Sequence, residues 1–379
     1  GTVKWLLTDS RSLGFPEETL FFALVTGRGD GHRYIPELYQ RGVRHFVVSV
    51  RPNSDDLQTM SAANFLVVPD TLAALQLLAE KHRAQFQVPV VGITGSNGKT
   101  VVKEWLNQLL GASHRVTRSP RSYNSQIGVP LSVWQMDEHT DVALIEAGIS
   151  QHHEMKRLRN IIRPTIGVFT NIGGAHQENF SSLQDKCMEK LELFRNCEII
   201  IYNGDNKEVC ESIDRTLQSA REIAWSRHDE DKPLYISSVK KADRSSTIKY
   251  HYLGIPGQYT IPFTDEASIE NSIHCLAVCL YLMVPGEKIA ERMLQLAYFV
   301  HCFKHRSILP IILGEDITNG SLCLSEEHLF ERNTHGVLHF VAYGHHQFLV
   351  KTLELKEIGI HHVYVAAILL DGSINLLEE

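Results

Sequence analysis

The stretch Val90-Val91-Gly92-Ile93-Thr94-Gly95-Ser96-Asn97-Gly98-Lys99-Thr100 organises the reading of the whole chain. Val90 to Thr94 reads as a buried strand, and Pro89 marks its start. Gly95 and Gly98 frame a tight turn, and Lys99 to Leu110 reads as a helix. Strand, glycine turn and helix in that order make a phosphate cradle. Glycines let backbone N–H groups approach an anion, and the helix N-terminus adds positive potential. Lys99 can reach the β/γ-phosphates of a nucleotide, and the Thr100 hydroxyl can hold Mg²⁺. The spacing departs from GxxxxGK[ST], because Ile93 stands at the first glycine of that pattern. A glycine turn that merely caps a helix is the bland alternative, and strand, turn and helix in register argue against it. ATP is the expected ligand.

Outward from this loop, strands and helices alternate from 88 to about 300. Val142–Glu146, Ile166–Thr170 and Glu198–Tyr202 read as buried parallel strands. Lys99–Leu110, Glu154–Ile161 and Leu183–Arg195 read as the helices between them. That rhythm predicts a doubly wound sheet. Residues 226 to 265 read as a β-rich insertion, followed by helices over Ile269–Leu282 and Ile289–Tyr298. Before the loop, strands are expected at Trp5–Leu7, Leu20–Leu24, His45–Val50 and Phe65–Val68. A short helix is expected at Ile35–Gly42, and an amphipathic one at Thr71–Phe86 through Leu72, Leu75, Leu77, Leu78 and His82. After residue 300, Leu338–Tyr343 and His362–Leu370 read as strands and Gln347–Ile358 as a helix. The expected domains are 1–86, 87–300 and 301–379, and 379 residues are too many for one core.

The formal net charge is -7, with no block of five or more like charges, which disfavours nucleic acid or anionic membranes as partners. Phosphates must then be bound by local groups. No apolar run approaches the roughly 20 residues of a membrane span. Gly1-Thr2-Val3-Lys4-Trp5 is not a signal peptide, and its abrupt entry into a strand suits a chain with natural residues ahead of it. The cysteines at 187, 197, 210, 275, 279, 302 and 323 form no CxxC pair. Cys275 and Cys279, one helical turn apart, suit buried thiols better than a zinc site. A reducing, cytoplasmic compartment is expected.

Val91 to Thr100 resembles the ATP loop of the Mur ligases and the related folylpolyglutamate synthases. These enzymes activate a carboxylate as an acyl phosphate and couple it to an amine. The resemblance covers residues 5 to about 298. It implies a three-domain α/β architecture: a small UDP-binding domain, a central doubly wound ATPase-like domain and a C-terminal α/β domain. Leu144-Ile145-Glu146-Ala147-Gly148 is similar to the segment whose glutamate holds Mg²⁺. Thr170 to His176 resembles a segment in which His176 would serve the second Mg²⁺. On the helix from Leu183, Lys190 falls on the lysine that many members carbamylate, making an oxygen ligand for Mg²⁺. By residue pattern alone Lys190 is a solvated position, and Lys186 is the nearby competitor.

Tyr123 to Pro130 resembles the loop that faces sugar-peptide substrate and phosphates, which implies Asn124, Ser125 and Gln126 as substrate-binding residues. Asn203-Gly204-Asp205-Asn206 resembles a turn near the nucleotide. Asn271 matches the asparagine that contacts adenine, although Asp265 to Ile269 replaces the usual lead-in. Thr8-Asp9-Ser10-Arg11, Leu20 to Leu24 and Gly29 to His32 resemble the uridine-binding domain, where Ser10 and Arg11 would meet UDP.

Ile127 to Leu131, Ala147 to Ser150 and Ser182-Leu183 point within the family to the MurF type, which joins D-alanyl-D-alanine to UDP-N-acetylmuramoyl-tripeptide. The likeness extends to the version fused ahead of an alanine racemase, for which this chain has no room. The implied machinery is ATP, Mg²⁺ at Thr100, Glu146, His176 and Lys190, and Lys99 on the transferring phosphoryl group. The family's third-domain Arg-x-Glu and Asp-Ser/Asp-Tyr-Asn landmarks are not found after Gln295, so a reduced or divergent C-terminal domain is expected. Three readings follow: the ligase, a nucleotide- and UDP-substrate-binding protein without turnover, and another carboxylate-amine ligase of MurE or folylpolyglutamate synthase type. Thr8 to Arg11 argues against the folate enzyme.

Overall fold

A computed structural model describes residues 3–27, 29–173, 179–217 and 220–297, and four strands beyond them. The chain divides into one compact unit, Gly1–Leu296, and a second, Ala297–Glu379.

The first unit begins with β1 (Trp5–Leu7), β2 (Thr19–Phe22), the short pair β3 (Val25–Thr26) and β4 (Gly29–Asp30), α1 (Ile35–Gln40), β5 (His45–Val48), α2 (Ser54–Thr59), β6 (Asn64–Val67) and α3 (Thr71–Arg83). Strands β1, β2, β5 and β6 form an all-parallel sheet in that order. Asp70 caps α3 by accepting from the N–H groups of Leu72 and Ala73. Thr71, Leu75, Ala79 and Arg83 recur every four residues and form its buried face. Leu77, expected in that stripe, is exposed.

The chain continues through β7 (Val90–Thr94), α4 (Lys99–Gly111), β8 (Val116–Arg118), α5 (Gly128–Val133), β9 (Val142–Glu146), α6 (Glu154–Ile162), β10 (Ile166–Phe169), α7 (Leu183–Leu191), β11 (Ile199–Asn203), α8 (Lys207–Thr216) and β12 (Arg221–Ser226). Strands β13 (Leu234–Lys241), β14 (Ser246–Tyr252) and β15 (Ile255–Ile261) follow, then α9 (Glu266–Tyr281) and α10 (Gly286–Met293). The nine-stranded sheet has the order β15-β14-β13-β12-β11-β10-β7-β9-β8. From β8 to β13 neighbours are parallel, and β13 to β15 are antiparallel. The expected doubly wound sheet is therefore present, and the β-rich insertion extends its edge. From β7 the chain leaves to β8 and β9 on one side and then to β10 on the other. This reversal opens a crevice at the carboxyl ends of β9, β7 and β10. The pattern did not mark β8, α2, α5 or α8, which are short or polar.

Helix α3 joins the two sheets. His82 packs its ring on Trp134, with centroids 4.5 Å apart, and its Nε2 lies 2.8 Å from the Met136 carbonyl. Arg83 is buried and donates to the carbonyls of Ile162, Phe86 and Arg163. Cys275 and Cys279 are free and buried inside α9, as two core thiols would be.

In the second unit, β16 (Phe299–Lys304) pairs antiparallel with β17 (Ser307–Ile312), and β18 (Val337–Gly344) with β19 (Gln347–Glu354). The helix expected over Gln347–Ile358 is thus corrected to a strand across Gln347–Glu354. A short apolar run fits either period, and here the antiparallel partner decides. The strand expected at His362–Leu370 lies outside the described residues, and α10 ends at Met293 rather than near Tyr298.

Replacing Arg83 with Met strands three main-chain carbonyls that now accept from a cation. The expected cost is roughly 2–4 kcal/mol, read as a lower urea midpoint. An unchanged midpoint would show that α3 does not depend on this guanidinium.

Candidate functional site

The glycine loop sits at the carboxyl end of β7, held against the end of β10. Ser96 N donates to Asn171 O (2.9 Å), and Asn97 N to Asn171 Oδ1 (2.9 Å). The Ser96 hydroxyl and Gly173 bond each other in both directions, and Thr170 Oγ1 donates to Asn97 O. Two glycines permit this closeness. Gly95 has φ +147°, and a Cβ there would lie 2.0 Å from Thr170 Oγ1. Gly98 has φ +82° as the cap of α4, and a Cβ there would lie 2.4 Å from Asn271 Oδ1. Asn271 of α9 is therefore brought to the loop.

Three lysines converge on this backbone. Lys99 Nζ folds back onto Gly95 O (2.9 Å) and Ser96 O (3.2 Å). Lys190 Nζ donates to Gly95 O (3.2 Å), and Lys186 Nζ to Gly173 O (2.7 Å). Lys190 is not the solvated position its helix pattern suggests, since it is only 4% exposed. Its turn faces the sheet, where the loop of β7 arrives from 95 residues away in sequence. Burial, with Lys99 and Lys186 nearby, pushes the Lys190 ammonium down to about 7. Among the described residues no carboxylate lies within ion-pair distance of it. Lys186 is also lowered by burial. A chain of net negative charge thus presents a local cluster of cations at its anion cradle.

On the other side of β7, Glu146 ends β9, in register with Ile93. Glu146 is fully buried. Its Oε2 accepts from Thr100 Oγ1 (3.1 Å), and its Oε1 has no hydrogen-bond partner. The Lys103 ammonium lies 3.0 Å from that Oε1, and the carboxylate and the Thr100 hydroxyl together make a hard-oxygen pair that suits Mg²⁺. Ser122 Oγ lies 3.4 Å from Thr100 Oγ1. Among the described residues no group of three or more His, Cys, Asp or Glu converges. A cation here would therefore depend on Thr100, Glu146 and oxygens from outside that set. His176 lies outside the described residues.

A cavity of about 290 Å³ opens beside the loop, lined among others by Asn97, Thr170, Asn171, Asn203, Asn206 and Glu270. Asparagine amides supply both donors and acceptors, which suits a polar ligand with mixed edges. Asn203 lines it, whereas Asp205 is engaged elsewhere, accepting from Ser226 Oγ and Arg227 N. Behind the cavity, His274 is fully buried. Trp225 Nε1 can only donate, so His274 Nδ1 accepts (3.3 Å) and Nε2 donates to Thr170 O (2.9 Å). Burial pushes its imidazole down to about 4.

The 122–126 loop lies beside Glu146: Gly148 N donates to Asn124 O (2.8 Å). Ser125 Oγ accepts from Gly128 N at the start of α5 (3.2 Å). Gln126 links α3 to α6 through Gln76 and the Glu154 carbonyl. Ser10 is buried and Arg11 exposed on the turn after β1, where Arg11 pairs with Asp9 (Nη2–Oδ2 2.6 Å). Lys103, Asn171, Glu270 and His274 had no role in the reading of the sequence. The signal for Lys103 was a charge in an inward run, Val101-Val102-Lys103-Glu104-Trp105.

Residues 93–279 match the Mur ligase middle domain. The UDP-N-acetylmuramoyl-tripeptide--D-alanyl-D-alanine ligase of Bacillus subtilis is 30% identical over 298 residues, 76% of this chain and 61% of that protein. Its counterpart in Borreliella burgdorferi is 28% identical over 302 residues, 78% of this chain and 64% of that protein. MurF from Acinetobacter baumannii shares the fold with a TM-score of 0.69 and 24% identity, over 80% of this chain and 66% of that one. MurF ligase from Thermotoga maritima in complex with ADP gives 0.68 and 21%, over 78% and 66%. Over residues 93–279 the chain belongs to the Mur ligase family, as its middle domain. It is similar to relatives of the MurF type, and it spans less than two thirds of their length.

The Lys190 ammonium is disfavoured in the folded state and unhindered in the unfolded chain. Its burial therefore costs most below pH 7, and the cost fades as pH rises towards 10.5. In CO₂-free buffer, Lys190→Met is expected to melt higher than wild type at pH 7, the gap closing at alkaline pH. A variant that melts lower at neutral pH would mean that Lys190 is not a destabilising buried amine.

Proposed function

We propose that the chain is an ATP-dependent ligase of peptidoglycan precursor synthesis, joining D-alanyl-D-alanine to UDP-N-acetylmuramoyl-tripeptide in the cytoplasm. The observation that carries this reading is the glycine loop, flanked by Lys99, Lys186 and Lys190 on one side and by Thr100 and Glu146 on the other. The N-terminus of α4 and the loop N–H groups would hold the phosphates. Asn97, Asn171, Asn203 and Asn271 would hold the nucleoside, and Asp205 would brace the turn that carries Asn203. Ser10 and Arg11 would meet the UDP end, and Asn124, Ser125 and Gln126 the sugar-peptide.

In the proposed reaction the terminal carboxylate of the tripeptide attacks the γ-phosphorus. The new O–P bond forms as the β–γ bridge breaks and ADP leaves. The dipeptide amine then attacks the acyl carbon, forms C–N, loses a proton and expels phosphate. Lys99 would leave the carbonyls of Gly95 and Ser96 to follow the transferring phosphoryl group, supplying charge where it develops. Mg²⁺, when bound, would neutralise phosphate charge, with Thr100 and Glu146 as its holders and His176 as a further candidate. Lys190 suits carbamylation because an amine, not an ammonium, adds CO₂: the N–C bond forms and one proton is released. The resulting carboxylate would replace a buried cation with hard oxygens.

The test is phosphate release from ATP with UDP-muramoyl-tripeptide, with and without D-Ala-D-Ala. Dependence on both is expected. Tight binding of ATP and UDP-tripeptide without release would sink the ligase and favour a binding protein. Lys99→Ala is expected to abolish turnover with the fold intact, and normal turnover would remove the loop from the mechanism. Lys190→Ala should be nearly inactive and partly restored by formate or acetate, as measured by the same phosphate release. Wild-type behaviour of that variant would rule out the carbamate.

A further inference from the structure

Lys103 is a charge that the proposed reaction does not use. It points inward from α4 and is fully buried. Its Nζ donates to the carbonyls of Ser119 (2.9 Å) and Arg121. It also lies 3.0 Å from Glu146 Oε1 and 3.0 Å from Glu104 Oε1. Four oxygens surround one buried positive charge, the surroundings of a monovalent-cation site filled by the chain's own ammonium. Neither of those two carboxylate oxygens has a hydrogen-bond partner, so the carbonyls take the ammonium protons and the carboxylates are held by charge. Glu104 is tied in turn to Arg118, whose Nε donates to Oε2 (3.0 Å). Arg118, Glu104, Lys103 and Glu146 alternate in sign and sum to zero.

This arrangement pins Glu146 at both oxygens, with Lys103 at Oε1 and Thr100 at Oε2. It also grips the main chain on either side of Pro120, at the start of the loop that carries Asn124. Arg121 adopts φ +49°, a left-handed conformation that a non-glycine residue keeps only when its surroundings fix it. Ser119 adds a further tie, since its Oγ accepts from Glu146 N (3.1 Å).

We propose that Lys103 is a positioning residue, which sets the Glu146 carboxylate for a divalent cation and locks residues 119–121 against it. The inference rests on Glu146 being a Mg²⁺ holder, as in the function proposed above. Groups that orient a metal ligand are commonly worth about 10–100-fold in metal affinity.

The test uses Mn²⁺ as the probe, titrated by electron paramagnetic resonance into the full chain with saturating ADP. ADP affinity without metal is measured in parallel. Lys103→Met combined with Glu104→Gln removes one positive and one negative charge together, so the cluster keeps its net charge; the partly exposed Arg118 stays solvated, and Glu146 is left to the metal. The Mn²⁺ dissociation constant is expected to rise about 10–100-fold, with metal-free ADP affinity unchanged. If the double variant does not fold, Lys103→Gln, which retains an amide donor for the two carbonyls, carries the same expectation. Wild-type Mn²⁺ affinity in the variant overturns the inference. So does parallel loss of Mn²⁺ and metal-free ADP binding, which marks general loosening. If the wild type itself binds no Mn²⁺, the Glu146 assignment and this inference fall together; wild-type binding with unaltered variant binding removes this inference alone.

Discussion

The end of β7 must approach the end of β10 more closely than any side chain on Gly95 would allow. A Cβ there would stand 2.0 Å from Thr170 Oγ1, and the whole crevice is arranged around that absence. With the loop pressed inward, Ser96 and Asn97 bond Asn171, and the Gly95 carbonyl turns towards α7. That carbonyl then receives both Lys99 and Lys190. Much of the positive charge of the site is thus organised by one main-chain oxygen.

Across β7 the sign reverses. Glu146 lies fully buried, with Thr100 on one oxygen and Lys103 facing the other. A dry carboxylate is tolerable only where opposite charge surrounds it. The side towards α7 gathers three lysines, whereas the carboxylate towards β9 is balanced by Lys103 within its own cluster. The high cost of a buried Lys190 ammonium fits the same logic, because a site built for function often holds groups that burden the fold.

Much of this was legible in the linear chain. The runs Val90–Thr94, Val142–Glu146 and Ile166–Phe169 are apolar on both faces, and that pattern reports a parallel strand covered on both sides. Gly95, Gly98, Lys99 and Thr100 carry their chemistry in their spacing. Other features were illegible for physical reasons. β8 has three residues and α5 begins at a glycine, so neither offers a full period to detect. The Gln347–Glu354 run has an apolar content compatible with helix or strand, and only pairing with Val337–Gly344 settles it. The hydrogen bonds that Asp205 accepts from Ser226 and Arg227 join distant strands and leave no mark in the local pattern.

The sequence alone determined that a glycine-rich turn joins a buried strand to a helix, and that strands and helices alternate around it, because local sterics and hydrophobic period are properties of neighbouring residues. Which distant groups meet at that turn was decided only by the tertiary structure. Lys190 reads as a surface lysine until α7 packs against the sheet, and burial then lowers its ammonium to about 7. Lys103 reads as one charge among many until the turn after β8 and the end of β9 bring three oxygens to it beside Glu104 of its own helix. Charge and desolvation depend on what surrounds a group in space, and that is fixed only when the strands have been ordered.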